Sequence, residues 1–255
     1  MGRLCLHLCA ALFLTGGASL LAQSGDTRPA MIGQGGDSFA SKLHYPPEAK
    51  AAGKEGAVQF YCEVNSDGHA RHARVIGEDA KGPFRAVVQQ ALLKGRFLPA
   101  QAGGHVTQVL VGGTVLFVSA KGQPTLVVSL ATAEKEKASG AGKYLQPQML
   151  MSYADLERKC MTWWRSLVTR PSANPAAEAL FNVDENGHAT GVKVIGESPG
   201  SGLGAVLLKA CDGVHFIPAQ ANGKRLSGQF NLPIDFRMMT DPDAEVEGHL
   251  RAREQ

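Results

Sequence analysis

No run of five or more Lys or Arg residues occurs anywhere in this chain of 255 residues, and its formal net charge is only +3. Neutralising a phosphate backbone takes clustered cations, so the composition excludes a nucleic-acid surface. The sequence also lacks a nucleophile elbow, a phosphate-binding glycine loop, zinc-ligand spacing and a catalytic pair of carboxylates. Each Ser and Asp has a turn or a helix cap to explain it. We therefore expect no catalytic, cofactor-binding or metal-binding residue, no cofactor, and no enzymatic activity.

Long apolar runs are scarce too. A basic start through Arg3 and an apolar stretch over residues 4–14 have the form of a secretory signal, with cleavage expected after Ala22. His7, Gly16 and Gly17 interrupt the about 20 predominantly apolar residues that a spanning helix wants. A periplasmic protein is the expectation, and an uncleaved inner-membrane anchor the alternative. Leu6, His7 and Leu8 before Cys9 lack the small residues of a lipoprotein box. Removing residues 1–22 leaves Cys62, Cys160 and Cys211 in an oxidising compartment. An odd number means that at least one stays unpaired or pairs between chains.

What the chain does contain is one passage written twice. Residues 64–117 align without a gap on residues 183–236, a constant shift of 119. The turn Asp67-Gly68 falls on Asn186-Gly187, Phe97 and Pro99 fall on Phe216 and Pro218, and Phe117 falls on Phe236. One register held through strands, turns and a helix points to duplication of an ancestral unit.

Within the unit, Val58, Phe60, Cys62 and Val64 alternate with Gln59, Tyr61 and Glu63, the pattern of a half-buried strand. The glycine turn predicts a hairpin, returning through residues 69–76 and, in the second copy, 188–195. Phe84, Val87, Val88, Ala91 and Leu92 fall on one helical stripe, matched by Leu203, Val206, Leu207, Ala210 and Cys211. Pro83 suits that helix's first turn, and Gly95 suits a left-handed cap. A third strand is expected over residues 106–119 and again over 227–237. A short helix begun at a proline and closed at Gly53 precedes the first hairpin. A longer helix over residues 153–168 precedes the second, with Leu156, Cys160, Trp163, Trp164 and Leu167 on one stripe. The fold class is α+β: two small domains, each an antiparallel three-stranded sheet with two helices packed on one face. Residues 124–130 could add an edge strand, and 131–142 read as a solvated linker.

Tyr45-Pro46, Ala49, Gly53, Gly56, Val58, Asp67-Gly68, Val75, Phe97, Pro99-Ala100, Gly104 and Phe117 together resemble the C-terminal domain of TonB, the periplasmic energy transducer that contacts outer-membrane receptors. The resemblance covers residues 43–118. The second copy keeps the turn, the helix and Phe216, Pro218 and Ala219, but has Trp164-Arg165 for Tyr45-Pro46, and Ser172 and Pro175 for Gly53 and Gly56. It resembles a divergent member.

The resemblance implies capture of an extended partner segment by strand addition at the last strand of the domain. Carried over by position, that edge is Thr107, Gln108, Val109, Leu110, Val111, Gly112, Gly113, Thr114, Val115, Leu116 and Phe117, with residues 227–236 as its counterpart. Gly112-Gly113 would mark a bulge, and Pro233 an edge or an interruption. If the helices of the second copy pack side by side, as the resemblance implies, Cys160 and Cys211 become a candidate disulfide. A transducer also needs an anchor and a long Pro-rich span, and neither is evident.

Individual residues read more plainly. Cys62 is a buried thiol on an inward strand face. His69 and His188 are strand residues after matching turns rather than metal ligands, and the calcium-like residues 184–187 form a hairpin turn. At least one of Trp163 and Trp164 belongs to the core.

The expected organisation is a signal peptide at 1–22, a short linker at 23–42, the first domain at 43–120, a linker with an extra strand at 121–147, the divergent domain at 148–238 and a polar tail at 239–255. The expected function is a periplasmic TonB-like protein that binds extended segments of envelope or outer-membrane transport proteins, and is not a complete energy transducer. Its partners would be protein or peptide segments, TonB-dependent receptors among them. The alternative is an envelope scaffold whose domains pair with each other or with a second copy, as a homodimer. The two differ in whether the edge at residues 107–117 is open or covered by residues 124–130.

Overall fold

The structure is a computed structural model that describes residues 27–76, 82–120, 123–135, 144–168 and 174–237. The expected signal segment and polar tail lie outside these residues, as does most of the expected solvated linker. In the first half, β1 (Met31–Ile32) and a 3-10 turn (Ala40–Lys42) precede α1 (Pro47–Ala51), β2 (Gly56–Val64), β3 (Ala70–Ile76) and α2 (Pro83–Lys94). Then come β4 (Phe97–Leu98), β5 (Ala100–Ala102), β6 (His105–Thr107) and β7 (Val109–Ala120). β8 (Gln123–Ser129), β9 (Tyr144–Leu145) and β10 (Gln148–Met149) lead to α3 (Tyr153–Leu167), β11 (Ala176–Val183), β12 (Ala189–Glu197) and α4 (Leu203–Ala210). β13 (Phe216–Ile217), β14 (Ala219–Ala221), β15 (Lys224–Leu226) and β16 (Gly228–Asp235) complete the second half. The bounds of β4, β5 and β6 recur in β13, β14 and β15 after the same 119-residue shift.

The architecture is α+β, with helices against antiparallel sheets. β2 buries Val58, Phe60, Cys62 and Val64, and all five residues of the α2 stripe are buried. Phe39 packs with Phe60 and Phe97 at ring distances of 5.2 and 5.0 Å. Tyr45 stands edge-on to Phe84 and Phe117 and donates its hydroxyl to the Lys54 carbonyl. In the second half Phe181, Phe216 and Phe230 form the equivalent cluster. The two hairpin turns are alike, with φ of 86° at Gly68 and 87° at Gly187. Each glycine carbonyl accepts the N–H of the phenylalanine 29 residues on, Phe97 at 2.8 Å and Phe216 at 2.9 Å.

Three features differ from expectation. The first sheet is not three-stranded: its order is β13-β10-β7-β2-β3, with β8 also on β7, making six strands, whereas the second is the expected β12-β11-β16. Gly95 is extended (φ −92°, ψ 165°), not left-handed. Its bare Cα leaves room for the Phe39 backbone and the Ala91 carbonyl. The expected linker at 23–42 is packed where it is described, with Ala30 and Phe39 fully buried. β1 pairs with β4 as β10 pairs with β13, and Arg28 bridges Gln101 as Leu145 pairs with Gln220. These lead-in strands repeat at an offset of 117.

Candidate interaction surface: the sheet edges and the seam

The edge expected to receive a peptide is filled from within the chain. β7 runs beside β2 in unbroken register from Gly56↔Phe117 to Val64↔Val109. Its other side pairs with β8 from Thr114↔Ser129 to Ala120↔Gln123, and Leu110 pairs with Met149 of β10. Between these stretches the Thr114 hydroxyl donates to the Ala131 carbonyl at 2.8 Å, and the Gln146 N–H donates to the Leu130 carbonyl at 2.9 Å. Of the candidate residues, Thr107 ends β6 and Gln108 is exposed in the gap before β7. Val109, Val111, Val115 and Phe117 are core, and Leu110, Gly112, Gly113, Thr114 and Leu116 are buried as well.

Gly112 and Gly113 make no bulge; they permit close approach. A Cβ on Gly112 would lie 2.5 Å from Gln146 Nε2, and one on Gly113 would lie 2.5 Å from both Phe60 Cζ and the Ser129 carbonyl oxygen. Asn231 and Leu232 occupy these positions in β16, where no strand corresponding to β8 is paired among the described residues.

The outer edge of β16 meets the first domain instead. Arg74 donates to the Asp235 carbonyl at 3.1 Å and lies 3.4 Å from its carboxylate, and the Tyr61 ring stands edge-on to Phe230. Glu63, on the strand face expected to meet solvent, is buried and accepts the Tyr153 N–H at 2.5 Å. Tyr153 is the first residue of α3, so this carboxylate sits at the positive end of a 15-residue helix in the other domain. His72 stacks on the Tyr153 ring at 4.2 Å. The buried Gln148 carboxamide accepts the Ala30 N–H at 2.7 Å and donates to the Ala30 carbonyl at 2.8 Å, tying the two lead-ins together. Leu110 belongs to the second core and Ile217 to the first. A cleft of about 310 Å³ opens at the seam, lined by Gln59, Tyr144, Gln146 and Gln229 among others.

Electrostatics follow this burial. Tyr61 is pushed up by burial and then by the Glu178 charge. Tyr153 is pushed up to about 12, chiefly by burial. Burial by itself would raise Asp235, but hydrogen bonds from Arg237 and the charges of Arg74 and Arg237 outweigh it and hold the carboxyl below its ordinary value. A depressed folded-state pKa contributes stability that is present above the unfolded value of about 4 and is lost as pH falls through the lowered one. We expect the urea midpoint of Asp235→Asn to lie below wild type above about pH 5 and the gap to close in acid.

The remaining candidates are structural. Asp67 accepts the His69 N–H at 3.0 Å, and Asp184 accepts those of Asn186 and His188 at 2.9 and 2.8 Å. These bonds are turn devices, and among the described residues no three His, Cys, Asp or Glu side chains gather as a metal site. Trp164 packs on Phe236 at 5.6 Å, while Trp163 is exposed beneath Lys209. α3 and α4 do pack together, and Cys160 and Cys211 are both buried between them, but they are two free thiols rather than a disulfide. Burial pushes each up to about 12, with Glu157 adding to Cys160 and Cys160 adding to Cys211. Native Cys62, Cys160 and Cys211 should therefore resist iodoacetamide near pH 8 and react in denaturant, as mass spectrometry would show.

Residues 41–118 match the family model described as Gram-negative bacterial TonB protein C-terminal, and this match supports a TonB C-terminal domain in that segment. That family is envelope-associated and non-enzymatic, and its domains contact outer-membrane receptors. A search of curated proteins found no match. No helix among the described residues is long and apolar enough to cross a membrane.

Proposed function

We propose that the protein is an exported periplasmic scaffold of the cell envelope, built from a TonB C-terminal domain and a divergent duplicate of it, with no enzymatic role. The pairing of β7 with β8 and β10 carries this reading, because it occupies the strand that the family resemblance marks for receptor capture. The seam at Glu63, Arg74 and Gln148 supports it, since the edge of the second domain's last strand also meets the first domain. Such a body would hold envelope proteins through its outer surfaces and would not transmit force as a complete transducer. Receptor capture at β7 would require β8 to leave.

In-cell crosslinking from a photoreactive residue at the exposed Gln108 tests the reading. We expect links within the chain and none to a receptor. Recovery of an outer-membrane receptor segment from that position would restore strand capture and overturn the scaffold.

A further inference from the structure

The cleft of about 310 Å³ at the seam is walled by side-chain amides and one phenol. Gln146 is only 5% exposed and Tyr144 only 8% exposed, and both line the cleft. Among the described residues neither the Gln146 carboxamide nor the Tyr144 hydroxyl has a hydrogen-bond partner. Buried polar groups are ordinarily paired, so two left open on one concave surface point to a ligand.

The fold holds these groups in place. β9 and β10 flank Gln146 and pair with β14 and β13, and the Gln146 N–H is fixed on the Leu130 carbonyl at 2.9 Å. The amide itself needs the bare Cα of Gly112, where a Cβ would come within 2.5 Å of Nε2. Gln59 reaches the cleft from β2 of the first domain and Gln229 from β16 of the second. Gln229 Nε2 donates to Asn182 Oδ1 at 3.0 Å, which orients that amide and leaves its oxygen for another donor.

The chemistry of the wall narrows the occupant. Each carboxamide offers two N–H donors and a carbonyl acceptor. Burial holds the Tyr144 phenol above its ordinary value, so it keeps its proton and donates. The charged residues of the lining, Glu134 and Lys135, are exposed and opposite in sign, so the cleft selects no ion. An apolar ligand would leave the amides desolvated and unpaired. An extended peptide finds no main-chain edge, because Thr114, opposite Gln59, pairs with β2 on one side and β8 on the other. A neutral molecule dense in hydroxyl groups, each both donor and acceptor, meets every one of these demands.

We propose that the seam cleft binds a neutral sugar of one or two rings, held by Gln59, Gln146, Gln229 and the Tyr144 hydroxyl and so contacting both domains. Its volume lies at the small end of ligand pockets, about 300–1,000 Å³, which sets the limit of two rings. The site stands apart from the sheet edges, and its test does not depend on what Gln108 captures.

Titrating the full chain with glucose, maltose and N,N′-diacetylchitobiose, while NMR follows the side-chain amide signals of Gln59, Gln146 and Gln229, tests the proposal. At least one sugar should shift these signals saturably. Gln146→Leu keeps the volume and removes the hydrogen bonds, and should weaken binding about ten-fold with unchanged circular dichroism. Gln229→Ala, at an exposed position, should show a similar loss and decides the matter if Gln146→Leu does not fold. Binding of the soluble sugar with no retention on insoluble starch or chitin would mark a free sugar as the ligand; retention that the soluble sugar displaces would mark the end of a glycan chain. No saturable shift with any of the three sugars, equal shifts with a tetra-alanine peptide, or binding indifferent to both substitutions would overturn the proposal.

Discussion

Replacing Gly113 by valine is expected to destabilise the protein by about 3 kcal/mol and to detach β8. Gly113 is the point at which β7 is pressed from both sides: a Cβ there would meet Phe60 Cζ and the Ser129 carbonyl, each at 2.5 Å. Phe60 is fully buried against Phe39 and has nowhere to retreat, and Ser129 belongs to the covering strand itself. Close-packed interiors do not absorb such an intrusion cheaply. Chemical denaturation reads the stability loss, and faster amide exchange across residues 123–129 reads the detachment. A variant as stable as wild type, with β8 still protected, would mean that the cover on β7 is loosely held. In the second domain Leu232 fills the same position, and no strand covers it among the described residues.

Gly68→Ala and Gly187→Ala should each cost more than about 2 kcal/mol. The left-handed backbone alone accounts for about 1–2 kcal/mol. The new Cβ would also run into a main-chain oxygen, that of Phe97 or Phe216. The pair also reports on the seam. If Glu63, Arg74 and Gln148 join the two domains into one cooperative body, either substitution shifts a single unfolding transition for the whole chain. Two transitions, each sensitive to only one of the glycines, would show that the domains unfold independently.

The parts legible in the sequence were those with a long enough period or a strict conformational demand. Alternation of Val58, Phe60, Cys62 and Val64 gave β2, the helical stripe gave α2 and α4, and the Asp-Gly and Asn-Gly turns gave both hairpins. The apolar run at residues 124–130 was legible as an edge strand because it is branched and bounded by Pro124. The lead-in strands are two residues each, too short to show any period, and their repeat is offset by 117 rather than 119. The seam was hidden for another reason. Alternation says which residues leave the core, not whether they meet water or a second domain, so Tyr61 and Glu63 read as solvent-facing. An aromatic at Tyr61 on an otherwise polar face was the available hint. Glycine pairs are ambiguous in the same way, since Gly112 and Gly113 signal either a bulge or a close neighbour, and only the unbroken register of β7 on β2 decides.

Residue-resolved amide hydrogen exchange along Val109–Ala120 tests the account most directly. In an antiparallel strand one alternate set of amides faces each neighbour. With β2 on one side and β8 on the other, both sets between Thr114 and Phe117 should exchange slowly, on the timescale of global opening. Slow exchange in the β2-facing set alone, with the other set exchanging like an exposed edge, would contradict the closed edge on which the scaffold reading rests.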